Sequence, residues 1–180
     1  MRRLECVRCV IMTIPANEQW RGPSPGESDS LQVRRAIPDD REPLIDIWWR
    51  SVCATHTFLS RQQLDALKPD VRALQLERLD TWVLCDRRAT AIGFMVMNEH
   101  SIEALFLAPE WLRRGGGSRL MRHARSLAGM LTVEVNEQNT AALNFYLAQG
   151  FVISGRSDTD AAGRPYPLLR LAESPGARGR

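Results

Sequence analysis

The sequence predicts a single α+β (mixed α/β) domain. Three observations carry this. Apolar residues alternate at a two-residue period in some stretches and recur at helical spacing in others. The stretches run strand, two helices, a strand meander, then strand–helix–strand–helix–strand. A Gly-rich turn opens the first of the later helices. At 180 residues the chain can bury a sizeable core, and its 44% hydrophobic and 25% charged residues are typical of a soluble globular protein.

Residues 1–30 contain Pro15, Pro23, Pro25, Gly22 and Gly26 without sustained periodicity, and read as a disordered extension or an early start, with Met12 as a second candidate start. The domain spans 31–172, and 173–180 reads as a flexible tail. Within the domain, Leu31–Ala36 is a short strand. Pro38-Asp39-Asp40 starts a helix with Leu44, Ile47, Trp48 and Val52 at helical spacing. A second helical region covers about 60–79. Strands Thr81–Asp86 and Ala91–Asn98 flank a charged turn, and Ile102–Ala108 follows. Gly115–Leu127 is a helix. Leu131–Asn136 alternates cleanly, Val133 and Val135 on one face, Thr132, Glu134 and Asn136 on the other. Asn139–Gln149 is a helix ended by Gly150, and strands Phe151–Gly155 and Tyr166–Leu171 close the sheet.

Charge and composition exclude several classes. The net charge of +3, from 24 Lys plus Arg against 21 Asp plus Glu, is too mild to argue for nucleic acid. Nearly all the positive charge is Arg, whose planar fork suits phosphate. Arg119, Arg122 and Arg125 read as one solvated helix flank. Cys6-Val7-Arg8-Cys9 lacks the second pair a zinc site needs, Cys53 and Cys85 read as core residues, and His56, His100 and His123 have no metal-ligand spacing. No metal is expected. Glu5 and Arg8 break any signal-peptide core, and no run reaches the roughly 18 apolar residues of a membrane span, so the expectation is a soluble cytoplasmic protein.

The chemistry concentrates between Ser101 and Phe151. A strand ending Leu105-Phe106-Leu107-Ala108-Pro109 leads into Arg113-Arg114-Gly115-Gly116-Gly117-Ser118 at a helix start. First-turn amides lack intrahelical partners and the helix dipole favours negative charge, so this turn can hold a pyrophosphate. It is no Walker loop, because no Gly-Lys-Ser/Thr follows, and the third Gly of G-x-G-x-x-G is missing. Downstream lie Val135-Asn136-Glu137-Gln138-Asn139, Ala142, Phe145-Tyr146 and Gly150-Phe151.

This arrangement resembles the GNAT superfamily of acetyl-CoA-dependent N-acetyltransferases, whose phosphate loop reads Gln/Arg-x-x-Gly-x-Gly/Ala. Here it reads Leu112-Arg113-Arg114-Gly115-Gly116-Gly117, and Leu112 departs from the usual Gln or Arg, losing one side-chain contact but not the backbone cradle. Asn139-x-x-Ala142-x-x-x-Tyr146 with Gly150-Phe151 matches the family without a gap. The likeness extends to small single-domain bacterial members through Arg50–Ser60 and Gly163–Leu169. It implies a GNAT-like mixed sheet with helices on both faces, splayed between the fourth and fifth strands. Acetyl-CoA would lie in the splay, its pantetheine along the backbone of Leu105, Phe106 and Leu107.

The resemblance also implies direct attack of an amine on the thioester in a ternary complex. Tyr146 would protonate the leaving thiolate, and Asn139 and Asn136 would hold the pantetheine. Arg113, Arg114, Gly115, Gly116, Gly117 and Ser118 would hold the phosphates. For the base, Glu134 and Glu103 compete, with His56 as a relay through water. His56, Phe58 and Tyr166 would face the acceptor; the Trp48-Trp49 pair either walls that pocket or is buried on two sides between the sheet and the second helix. A small-molecule amine is the first expectation for that acceptor. A protein N-terminus, a lysine or aminoacyl-tRNA is the alternative, and a non-catalytic CoA-binding module the reading of another class. A homodimer is left open.

Overall fold

Alternating strand patterns need partners on both edges, and the chain supplies them in one seven-stranded sheet. The computed structural model describes residues 31–55, 60–160 and 163–174. The strands are β1 (Gln32–Arg35), β2 (Asp80–Cys85), β3 (Ala91–Asn98), β4 (Ser101–Leu107), β5 (Thr132–Asn136), β6 (Phe151–Ser157) and β7 (Leu168–Glu173). The helices are α1 (Arg41–Thr55), α2 (Arg61–Ala73), α3 (Gly116–Ala128) and α4 (Thr140–Ala148). The strand order is β1-β2-β3-β4-β5-β7-β6. Every pairing is antiparallel except β4 with β5.

That parallel pairing is short. Ser101 sits opposite Thr132 and Ile102 opposite Val133, and there the registered pairs end. From Glu103 and Glu134 onward the two strands part, which leaves one edge of β4 open to a third chain-like partner. The splay expected between the fourth and fifth strands is present.

Two cores hold the sheet from opposite faces. On one, Leu105 and Leu107 of β4 pack with Leu120, Met121 and Ala124 of α3, Val133 and Val135 of β5, and Tyr146 of α4. On the other, Phe94, Ala104 and Phe106 pack with Leu44, Ile47, Trp48 and Val52 of α1 and Leu64, Leu67 and Val71 of α2. β4 contributes alternately to both, as a central strand must.

Several boundaries differ from the sequence expectation for local reasons. The second helical region stops at Ala73, and Leu76–Arg78 forms a separate 3-10 turn after Gln75 adopts a positive φ of 51°. β7 begins at Leu168 and runs through Glu173, because Arg125 of α3 donates to the Glu173 carboxylate at 2.6 Å and to the carbonyl of Gln149 at 2.7 Å. Arg125 is therefore a clamp and not part of a solvated flank. Six residues beyond Arg119 carry it about two-thirds of a turn further round the helix. Cys53, expected in the core, is exposed, since it lies one position past the inward Val52; Cys85 is buried. Trp48 points inward, whereas Trp49 lies under two cations of α2, with Lys68 Nζ 3.4 Å from its ring centroid. The expectations for 1–30, Cys6 and Cys9, and 175–180 lie outside the described residues. Among the described residues no helix is long and apolar enough to cross a membrane.

Candidate active site

The Gly-rich turn forms the start of α3 as its sequence demands. Arg113 and Gly115 take positive φ values of 61° and 81°, and Gly115 occupies the N-cap with no side chain to cap the helix. The first-turn amides of α3 thus remain open to an anion. Gly116 and Gly117 serve a different need. A Cβ on Gly116 would lie 2.9 Å from Leu84 Cδ2 and 3.2 Å from Leu107 Cδ2, and one on Gly117 would lie 3.0 Å from the Phe145 ring. These two glycines seat the helix against the sheet and α4. The Arg114 guanidinium lies 5.4 Å from the Trp111 ring centroid, and the Ser118 hydroxyl accepts from Gln149 Nε2 at 3.1 Å, leaving its backbone amide as the group at the turn.

The splay gathers the central candidates. Leu105, Phe106 and Leu107 are buried on β4 beyond the last registered β4–β5 pair. Asn136 ends β5; its Oδ1 accepts from the Gln138 amide at 2.8 Å, while its buried Nδ2 has no partner among the described residues. Asn139 is buried and caps α4, accepting from the Ala142 amide at 3.1 Å. Tyr146, about two turns further along the same face of α4, is fully buried, with Phe145 and Phe151 at centroid distances of 5.3 and 5.2 Å. Its hydroxyl also lacks a hydrogen-bond partner among the described residues. Burial pushes the phenol well above its ordinary range, so it keeps its proton and is a donor in search of an acceptor. Two orphaned donors and an uncapped helix start fit a ligand that brings acceptors and an anionic end.

The two candidate bases meet at the fork. Glu103 and Glu134 are each the first residue after the last registered pair on their strands. Glu103 is the extra residue of a bulge, because Val96 pairs with Ala104 while Met97 pairs with Ile102, and its side chain is buried. Glu134 is half-buried, opposite Arg170 on β7, whose Nε lies 3.3 Å from its carboxylate.

Tyr166 stands on the far side of the sheet from α3. Its hydroxyl accepts from Gln63 Nε2 of α2 at 2.7 Å, which ties α2 to the segment before β7. Gln63 was not expected as a site residue, although Ser60-x-x-Gln63 is a capping-box spacing and Ser60 does cap α2. On the same face Trp48 Nε1 and Ser51 Oγ of α1 are buried without partners among the described residues. His56 and Phe58 lie outside the described residues. No group of His, Cys, Asp and Glu that could hold a metal occurs among the described residues.

Residues 77–153 match the acetyltransferase (GNAT) domain family. Over 142 residues the chain is 42% identical to the peptidyl-lysine N-acetyltransferase YjaB of Escherichia coli K12, covering 79% of this chain and 96% of YjaB. The chain belongs to the GNAT acetyltransferase family. The solution structure of apo YjaB matches this acetyltransferase with a TM-score of 0.74 over 79% of this chain and 96% of that one. The peptidyl-lysine N-acetyltransferase YiaC of the same organism is 31% identical over 122 residues, 67% of this chain and 83% of YiaC. The PaiA N-acetyltransferase of Thermoplasma acidophilum, solved with coenzyme A, shares the fold at 19% identity and a TM-score of 0.64, over 81% of this chain and 99% of that one.

Proposed function

We propose that this GNAT acetyltransferase moves an acetyl group from acetyl-CoA to the side-chain amine of a lysine in a polypeptide. The observation that carries the acceptor is the 42% identity across nearly the whole of a relative named for peptidyl-lysine acetylation. Acetyl-CoA is supported by the uncapped start of α3 beside the orphaned Asn136 Nδ2 and Tyr146 hydroxyl. The amine nitrogen bonds to the thioester carbon, the carbon–sulfur bond breaks, the amine proton passes to a base, and Tyr146 gives its proton to the departing sulfur. Glu103 and Glu134, which stand together where β4 and β5 part, are the two candidate bases.

A small-molecule amine is the second reading. The Gln63–Tyr166 bond favours it, since it ties α2 to the segment before β7, which carries Tyr166, a residue expected to face the acceptor.

Two measurements test the proposal. Thermal unfolding with acetyl-CoA should show stabilisation of about 2.7 kcal/mol at a hundredfold excess over the dissociation constant, with ATP and NAD as controls. No shift ends the cosubstrate assignment. Mass spectrometry of a lysine peptide and of a set of small diamines, each incubated with protein and acetyl-CoA, then separates the acceptors. An acetylated Nε on the peptide upholds the lysine reading; acetylation of diamines alone replaces it.

A further inference from the structure

On the flank of α3 that faces β1, away from the splay, Arg119, Arg122, His123 and Ser126 follow one another at i, i+3, i+4 and i+7. With Val33 of β1 they line a cleft of about 280 Å³. Its chemistry is one-sided. Neither Arg119 nor Arg122 forms an ion pair with any described residue. The His123 ring is wedged edge-on against Trp82 with centroids 4.2 Å apart, and its Nε2 is buried without a hydrogen-bond partner among the described residues.

The acidic group that acts on this histidine, Asp80, is already committed. It pairs with Arg35 at 2.6 Å and accepts from Trp82 Nε1 at 2.9 Å. Arg35 in turn covers the Trp82 ring, 4.6 Å from its centroid. Two guanidiniums and an imidazole ring therefore line one concave site, and the acid nearest to act on them is already paired with Arg35. A tetrahedral oxyanion in the cleft can take charge-assisted bonds from both guanidiniums beside the imidazole ring.

We propose that the cleft between α3 and β1 is a second, separate anion site that binds a phosphoryl group through Arg119, Arg122 and His123. The Ser126 hydroxyl, which donates to the His123 carbonyl, helps to hold the ring-bearing turn in place. Burial first, then the charges of Arg119 and Arg35 against the weaker pull of Asp80, holds the His123 imidazole below its ordinary range. A bound anion reverses that balance, so binding and protonation of His123 are coupled, each favouring the other.

The test is nuclear magnetic resonance of the imidazole signals of the full chain, with His100 as an internal reference. Inorganic phosphate should move the His123 signals saturably and raise their titration midpoint, and sodium chloride at equal ionic strength should not. Arg119→Ala with Arg122→Ala should weaken the response at least about tenfold. If that double variant does not fold, Arg122→Glu on the exposed member of the pair should do the same. Glycerol 3-phosphate distinguishes a phosphate monoester from free phosphate as the source, and saturation by either upholds the site. The proposal is overturned if chloride reproduces the shift or if the arginine variants respond as the parent does. It is overturned as well if acetyl-CoA at equimolar concentration moves His123 as phosphate does, since the cosubstrate's own phosphates would then occupy the cleft.

Discussion

Tyr146→Phe should move stability and activity in opposite directions. The Tyr146 hydroxyl is closed off from solvent and has no partner among the described residues, and such a group costs about 1–3 kcal/mol when left unsatisfied. Phenylalanine keeps the ring and its edge-on contacts with Phe145 and Phe151, at 5.3 and 5.2 Å. The substitution removes the penalty without opening a cavity of consequence. The ligand-free variant should therefore be more stable by about 1 kcal/mol, which is roughly 2–4 °C in unfolding midpoint for a domain of this size. Turnover should fall about a hundredfold or more, the usual loss when a positioned proton donor is removed. Differential scanning calorimetry without ligand and thiol release with acetyl-CoA and an acetylatable peptide give the two readouts. A variant destabilised by 1 kcal/mol or so would show that the hydroxyl is bonded in the free protein. Turnover within about threefold of the parent would remove Tyr146 from the proton transfer altogether.

Three further outcomes follow from the same geometry. Gly115→Ala must hold a side chain at φ 81° and should cost about 1–2 kcal/mol by urea unfolding, with weaker acetyl-CoA binding because the amides at the α3 start are displaced. Asn139→Ala removes the cap on α4 and should cost about 1 kcal/mol; a simultaneous loss of acetyl-CoA affinity by calorimetric titration would mark its second role, whereas unchanged affinity would leave it a cap only. Asp40 is held below the usual carboxylate range mainly by the two-pronged bond from Arg34, at 2.6 and 2.8 Å, with the Ile37 amide adding to it. Its folded value is depressed, so its contribution is complete above the unfolded value of about 3.9 and is lost as pH falls through the folded one. Asp40→Asn should accordingly destabilise by about 1–3 kcal/mol at neutral pH, and the gap to the parent should begin to narrow below about pH 4 and go on shrinking as the pH falls further; a gap unchanged at acid pH would show that charge is not its source.

The alternating and helical periods and the glycine run already determine most of the elements from sequence alone, because each is a local pattern with a local physical cause, while the splay is what the family resemblance implies. Gly115 reads as a turn residue and is one, and the helix read over Asn139–Gln149 is present as Thr140–Ala148 with Asn139 as its cap. Three-dimensional contacts decided the rest. Only the sheet register shows that Glu103 and Glu134, 31 positions apart in the chain, stand together where β4 and β5 part. Only packing shows that Gly116 and Gly117 make room for Leu84, Leu107 and Phe145, and that Arg125 reaches Glu173 while Arg119 and Arg122 remain without acids. The physical reason is the same in each case. Spacing along a chain specifies which face of an element a residue occupies, but which neighbour meets that face depends on how elements far apart in sequence come to lie against one another.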